Sequence, residues 1–73
     1  MKLEASFLGY STFGVDFKYF LQTAAHHCDT MDQVRVATAR NYPRWDVKLV
    51  DGTVRMVSRK TGRLAVEIKE VAS

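Results

Sequence analysis

The run Trp45-Asp46-Val47-Lys48-Leu49-Val50-Asp51-Gly52-Thr53-Val54-Arg55-Met56-Val57-Ser58-Arg59-Lys60-Thr61-Gly62-Arg63-Leu64-Ala65-Val66-Glu67-Ile68 decides the fold. Trp45, Val47 and Leu49 alternate with Asp46 and Lys48. Val54 and Met56 flank Arg55, and Leu64, Val66 and Ile68 alternate with Ala65, Glu67 and Lys69. An apolar period of two marks strands with one buried and one wet face. Asp51-Gly52 separates the first two runs, and Asp-Gly favours a tight primed turn because glycine takes positive φ without steric cost. Lys60-Thr61-Gly62 joins the second and third runs as a longer, glycine-containing loop. Residues 45 to 68 therefore predict a three-stranded antiparallel meander, and the rest of the chain must cover its apolar face.

Working outward, Thr30-Met31-Asp32-Gln33 predicts a helix start. Thr30 can accept from the first-turn amides while Gln33 reaches back, the reciprocal arrangement of a capping box. Asp32 suits the positive end of the helix dipole. Met31, Val34, Ala37 and Thr38 form the inward stripe, Arg35 and Arg40 stay wet, and Pro43 stops the helix near Asn41. Residues 2 to 8 alternate Leu3, Ala5 and Phe7 with Lys2, Glu4 and Ser6, as in a strand. Residues 9 to 14 read as a loop between Gly9 and Gly14.

Residues 15 to 27 fit two periods. Val15, Phe17, Tyr19 and Leu21 alternate as a strand would, whereas Phe13, Phe17, Phe20, Leu21 and Ala24 fit one helix face. Aromatic and β-branched content favours the strand; a helix opening near Ser11 or Thr12 is the alternative. The expected fold is α+β: one small domain over residues 1–73, an antiparallel sheet with one helix packed on it. Its order is strand-strand-helix-strand-strand-strand, with 71–73 a frayed tail.

Charge is uneven along the chain. Residues 1–34 set Lys2 and Lys18 against Glu4, Asp16, Asp29 and Asp32, a net of −2. Residues 35–73 set Arg35, Arg40, Arg44, Lys48, Arg55, Arg59, Lys60, Arg63 and Lys69 against Asp46, Asp51, Glu67 and Glu70, a net of +5. Arginine makes planar two-point contacts to carboxylate and phosphate and is enriched at interfaces. The balance fits an acidic protein groove or a phosphate backbone, and equally a solvated basic face. No apolar run is long enough to span a bilayer, so no membrane association is expected. A lone Cys28 admits no internal disulfide and suits a reducing cytoplasm.

Candidate chemistry is thin. His26-His27-Cys28-Asp29 is the one cluster of metal-ligand types. Neighbours on a strand point to opposite faces, and no second ligand pair follows, so no metal site is expected. Cys28 reads as a buried thiol beside the helix cap rather than a nucleophile. No phosphate cradle or nucleophile elbow occurs, so neither catalysis nor a cofactor is expected. Phe7, Phe17, Tyr19 and Trp45 read as core. Tyr10, Phe13 and Phe20 are exposed interface anchors if 15–27 is a strand, and Phe13 and Phe20 are core if it is a helix.

The runs Cys28-Asp29-Thr30-Met31-Asp32-Gln33-Val34, Asn41-Tyr42 and Trp45-Asp46-Val47-Lys48-Leu49-Val50, with the chain's length and its Met1-Lys2-Leu3 start, carry a resemblance. The chain resembles the small transcription regulators of lytic phages, such as a Xanthomonas phage, that bind bacterial RNA polymerase. Small anti-CRISPR proteins share the layout. The phage resemblance implies a non-enzymatic protein of the host bacterial cytoplasm that binds host RNA polymerase at the β′ and β subunits, near the β′ N-terminus and the β flap. It implies inhibition of σ-dependent initiation and antitermination together with NusA. No site residue carries over by motif. Sequence physics nominates Lys48, Arg55, Arg59, Lys60 and Arg63 for partner binding, then Arg35 and Arg40, by charge complementarity. A small basic nucleic-acid-binding domain and an anti-CRISPR-type inhibitor remain open as alternatives.

Overall fold

The computed structural model describes residues 1–8 and 13–72. Its elements run β1 (Leu3–Phe7), α1 (Val15–His27), α2 (Met31–Asn41), β2 (Trp45–Val50), β3 (Thr53–Ser58) and β4 (Leu64–Glu70). The four strands form one antiparallel sheet in the order β1-β4-β3-β2. The meander is present as its alternation predicts. Asp51 and Gly52 both take positive φ, 50° and 77°, the backbone that a primed two-residue turn requires. That turn fixes the register, pairing Val50 with Thr53, Lys48 with Arg55 and Trp45 with Ser58. Between β3 and β4 the pairing shifts by one: Met56 faces Val66, while Val57 faces Leu64. Ala65 is the extra residue of the resulting bulge. β1 closes the other side, Ala5 opposite Ile68 and Phe7 opposite Val66. One further bond, from the Val71 N–H to the Lys2 carbonyl, continues that pairing at 2.8 Å.

Residues 15–27 are a helix, not the expected strand, so the sheet carries two helices rather than one. The two periods make opposite demands on this segment. A strand would bury Val15 and Tyr19 with Phe17; in the protein Val15 and Tyr19 are 65% and 63% exposed. The helix instead buries Phe17 and Ala24 and half-buries Phe20 and Leu21 against the core. Phe17 lies at the centre of a ring cluster, 5.7 Å from Phe7, 4.9 Å from Phe13, 5.9 Å from Phe20 and 5.5 Å from Tyr42 between centroids. Helical spacing brings Phe20 to the same side as Phe17, whereas a strand would set residues three apart on opposite faces. Burial of a phenylalanine contributes about 1.5–3 kcal/mol, and the segment holds no glycine or proline to oppose the helix. Phe13 and Phe20 are accordingly partly buried against the core and are not exposed anchors. Tyr10 lies outside the described residues.

The second helix is as expected. Thr30 Oγ1 accepts from the Gln33 N–H at 3.2 Å, and Gln33 Oε1 accepts from the Thr30 N–H at 3.3 Å, closing the capping box. Val34 and Thr38 are fully buried, and Thr38 satisfies its hydroxyl by donating to the Val34 carbonyl at 2.7 Å. Both helices lie on one face of the sheet, α1 over β1 and α2 over β2 and β3. Phe17, Val34, Val54, Met56, Val66 and Ile68 fill the space between the two layers. No helix among the described residues is long and apolar enough to cross a membrane.

Candidate functional site

The layout gives the sheet two unlike ends. β1 runs to Phe7 and Leu8 at the same end at which β2 begins, β3 ends, the β3–β4 loop turns, β4 begins and α2 finishes. Trp45 pairs with Ser58 there, and the next residues outward on the two strands are Arg44 and Arg59. Arg59, Lys60 and Arg63 are exposed in the loop, Arg44 is exposed in the turn before β2, and Arg40 is exposed in the last turn of α2. Five cations thus collect at one end. Among the described residues none of the five has a carboxylate oxygen within ion-pair distance; the ion pairs are Arg35–Asp32, Lys48–Asp46 and Lys69–Glu67. The carboxylates nearest to them along the chain are Asp46, held by Lys48 at 3.5 Å, and Glu67, held by Lys69 at 4.0 Å.

The nominated residues therefore divide. Arg59, Lys60, Arg63 and Arg40 belong to the basic end. Lys48 and Arg55 lie in one cross-strand row with Glu67, on the sheet face away from the helices. Arg55 Nε is buried there without a hydrogen-bond partner, a cost of roughly 1–3 kcal/mol. The row sets two cations beside one carboxylate, and the face carries both signs: Asp46 pairs with Lys48 and Glu67 with Lys69. Arg35 lies at the far end of α2 and is bound to Asp32 at 3.0 Å. Arg44 was not nominated from sequence. Its signal was the Asp51-Gly52 turn: counting outward from a two-residue loop sets Arg44 across from Arg59.

The loop that carries the cations is ordered by its own bonds. The Gly62 N–H donates to the Ser58 carbonyl at 2.8 Å, and the Ser58 N–H to the Arg63 carbonyl at 2.9 Å. Ser58 Oγ accepts from the amides of Lys60 and Thr61, and Thr61 Oγ1 accepts from that of Arg63. Gly62 takes φ 73°, which a side chain would resist. Beside this loop a cavity of about 250 Å³ opens between Leu8, Trp45, Ser58, Thr61, Arg63, Leu64 and Ala65.

At the opposite end, His26 and His27 occupy the last turn of α1, both exposed, with rings 5.1 Å apart. They are helical rather than at a strand end. Cys28 caps the helix and is buried, as the sequence suggests. Among the described residues no three His, Cys, Asp or Glu side chains stand close enough to share a metal ion.

No family model, no curated protein and no solved structure matches this chain.

Proposed function

We propose that the chain is a non-enzymatic regulator of bacterial RNA polymerase, acting in the host cytoplasm by docking its basic end on an acidic polymerase surface. The observation that carries this reading is the collection of Arg40, Arg44, Arg59, Lys60 and Arg63 at one end, none held by a carboxylate of the described chain. Cations already neutralised by their own protein have little to offer a partner. Unpaired ones raise the association rate and select a complementary acidic surface. The resemblance to small phage regulators supplies the partner: polymerase β′ and β, near the β′ N-terminus and the β flap. Docking there blocks σ-dependent initiation and, with NusA, favours antitermination.

The test is a tagged pull-down from nuclease-treated bacterial lysate, with bound proteins identified by mass. Stoichiometric β and β′ depleted in σ is the expected result. Arg59→Glu with Lys60→Glu should weaken capture at least tenfold at unchanged thermal stability, since both side chains are exposed. Recovery of Cas proteins instead, or capture indifferent to the double reversal, overturns the assignment. One observation favours a direct nucleic-acid contact as a second reading: the cavity beside Trp45.

A further inference from the structure

We propose that this cavity is a subsite for one unstacked base of single-stranded nucleic acid, with the flanking phosphates held by Arg44, Arg59, Lys60 and Arg63. Three features converge on that ligand. The first is an aromatic wall. Trp45 is half-buried, with Phe13 5.1 Å away between ring centroids, and it lines the cavity. An indole that lines a cavity offers an aromatic surface against which any base can pack. Leu8, Leu64 and Ala65 supply further apolar lining.

The second is polar lining at one side. Ser58 and Thr61 accept backbone N–H bonds through their oxygens and keep their own O–H groups for donation. Arg63 adds a guanidinium to the same lining. An arginine next to an aromatic face can stack on a base or bind the adjoining phosphate.

The third is charge. The cavity opens among five cations that stand without carboxylate partners among the described residues, and nucleic acid is a polymer of bases spaced between phosphates. An acidic protein surface would use the same arginines and leave an aromatic-walled hole empty. A second copy of this chain would bring five more cations to the same place. A duplex cannot enter, because its bases are paired and stacked, so the ligand is a single strand. The internal hydrogen bonds of residues 58–63 fix the loop before binding, which limits the ordering cost. The proposal does not depend on polymerase as the partner, and one end can serve both contacts on a complex that carries a single strand.

Trp45 is the only tryptophan, so its fluorescence reports the cavity directly. The purified protein is titrated with oligouridylate and oligothymidylate about eight nucleotides long, and with a duplex of equal length. Saturable quenching by single strands and none by duplex is expected. The affinity should fall with salt at a log–log slope of about −0.7 per neutralised phosphate. Stronger quenching by uridylate identifies RNA as the source, and by thymidylate DNA. Arg63→Ala should weaken binding about tenfold. Trp45→Phe, followed by anisotropy of a labelled strand, should retain binding because a ring remains. Equal binding of duplex and single strand without quenching overturns the base subsite, as does no binding at low salt. Because no polymerase is present, failure here leaves the pull-down result standing, and failure of the pull-down leaves this one.

Discussion

At the end of the sheet where β2 turns into β3, the chain satisfies itself. Thr30 and Gln33 close the start of α2, Asp32 holds Arg35, and the Val71 amide bonds to Lys2. The amino terminus of Met1 donates to the Ala25 carbonyl at 2.9 Å. Charges there are of both signs: Asp29, Asp32, Asp51 and Glu70 against Lys2 and Arg35. At the other end the backbone is equally well bonded, yet five cations stand unanswered around an aromatic-walled cavity. The difference separates two uses of polar side chains on one small domain. Where they bond to the chain they stabilise it, and where only the backbone is closed they are left for a partner. Mutations at the two ends should therefore move different measurements.

The largest expected effect belongs to neither end, because Phe17 joins the helix layer to the sheet. It is 2% exposed and touches the rings of Phe7, Phe13, Phe20 and Tyr42. Phe17→Ala should cost about 3–5 kcal/mol, against a total of roughly 4–11 kcal/mol for a domain this long. Urea denaturation should find the unfolding free energy lowered by that amount, with binding falling as the unfolded fraction rises. A loss under about 1 kcal/mol would mean that α1 is not packed as described.

A smaller change sharpens the contrast between the ends. Thr30→Ala removes the hydroxyl that accepts from Gln33 and should cost about 1 kcal/mol. Binding at the far end should not change. With the Arg59 and Lys60 reversal, which moves binding and not stability, this makes a double dissociation. A Thr30 variant that lost affinity in proportion to stability would tie the two ends together.

How much of this the sequence shows depends on how many structures each segment fits. Residues 45–68 fit one, since alternation and an Asp-Gly turn agree, and the capping residues from Thr30 to Gln33 likewise point one way. Residues 15–27 fit two, because Phe17 and Leu21 belong to both the period-two and the helical set. Only the presence of Phe7, Phe13 and Tyr42 around Phe17 selects the helix, and those contacts are non-local. The basic end is hidden for a related reason. Arg40 and Arg44 are far along the chain from Arg59, Lys60 and Arg63, and only the register of β2 on β3 unites them. Residue type alone also grouped Lys48, Arg55 and Arg35 with them. Spacing argues against that grouping: alternation sets Glu67 beside Lys48 and Arg55 on the outward face, and an i,i+3 step sets Asp32 beside Arg35 on the helix.

The smallest effect tests the interior of the basic end through pH. Tyr42 follows α2 and meets Phe13 and Phe20 edge-on, at 5.6 and 5.5 Å. Its phenol is raised above the usual value of 10.0, first because burial disfavours the phenolate and second because the Asp16 carboxylate is near. A folded-state value above the unfolded one means that the unfolded chain loses this proton first as pH rises. The contribution of Tyr42 is therefore complete below the unfolded tyrosine value, about 10, and is lost as pH climbs through the raised folded one. Tyr42→Phe cannot ionise, so its stability should decline less between neutral and strongly alkaline pH than that of the parent chain. The check is the difference between the two proteins in denaturation midpoint, which cancels every group the two chains share. Parallel midpoints throughout would place the Tyr42 phenol in water and remove burial among the rings of Phe13, Phe17 and Phe20 as the cause of its shift.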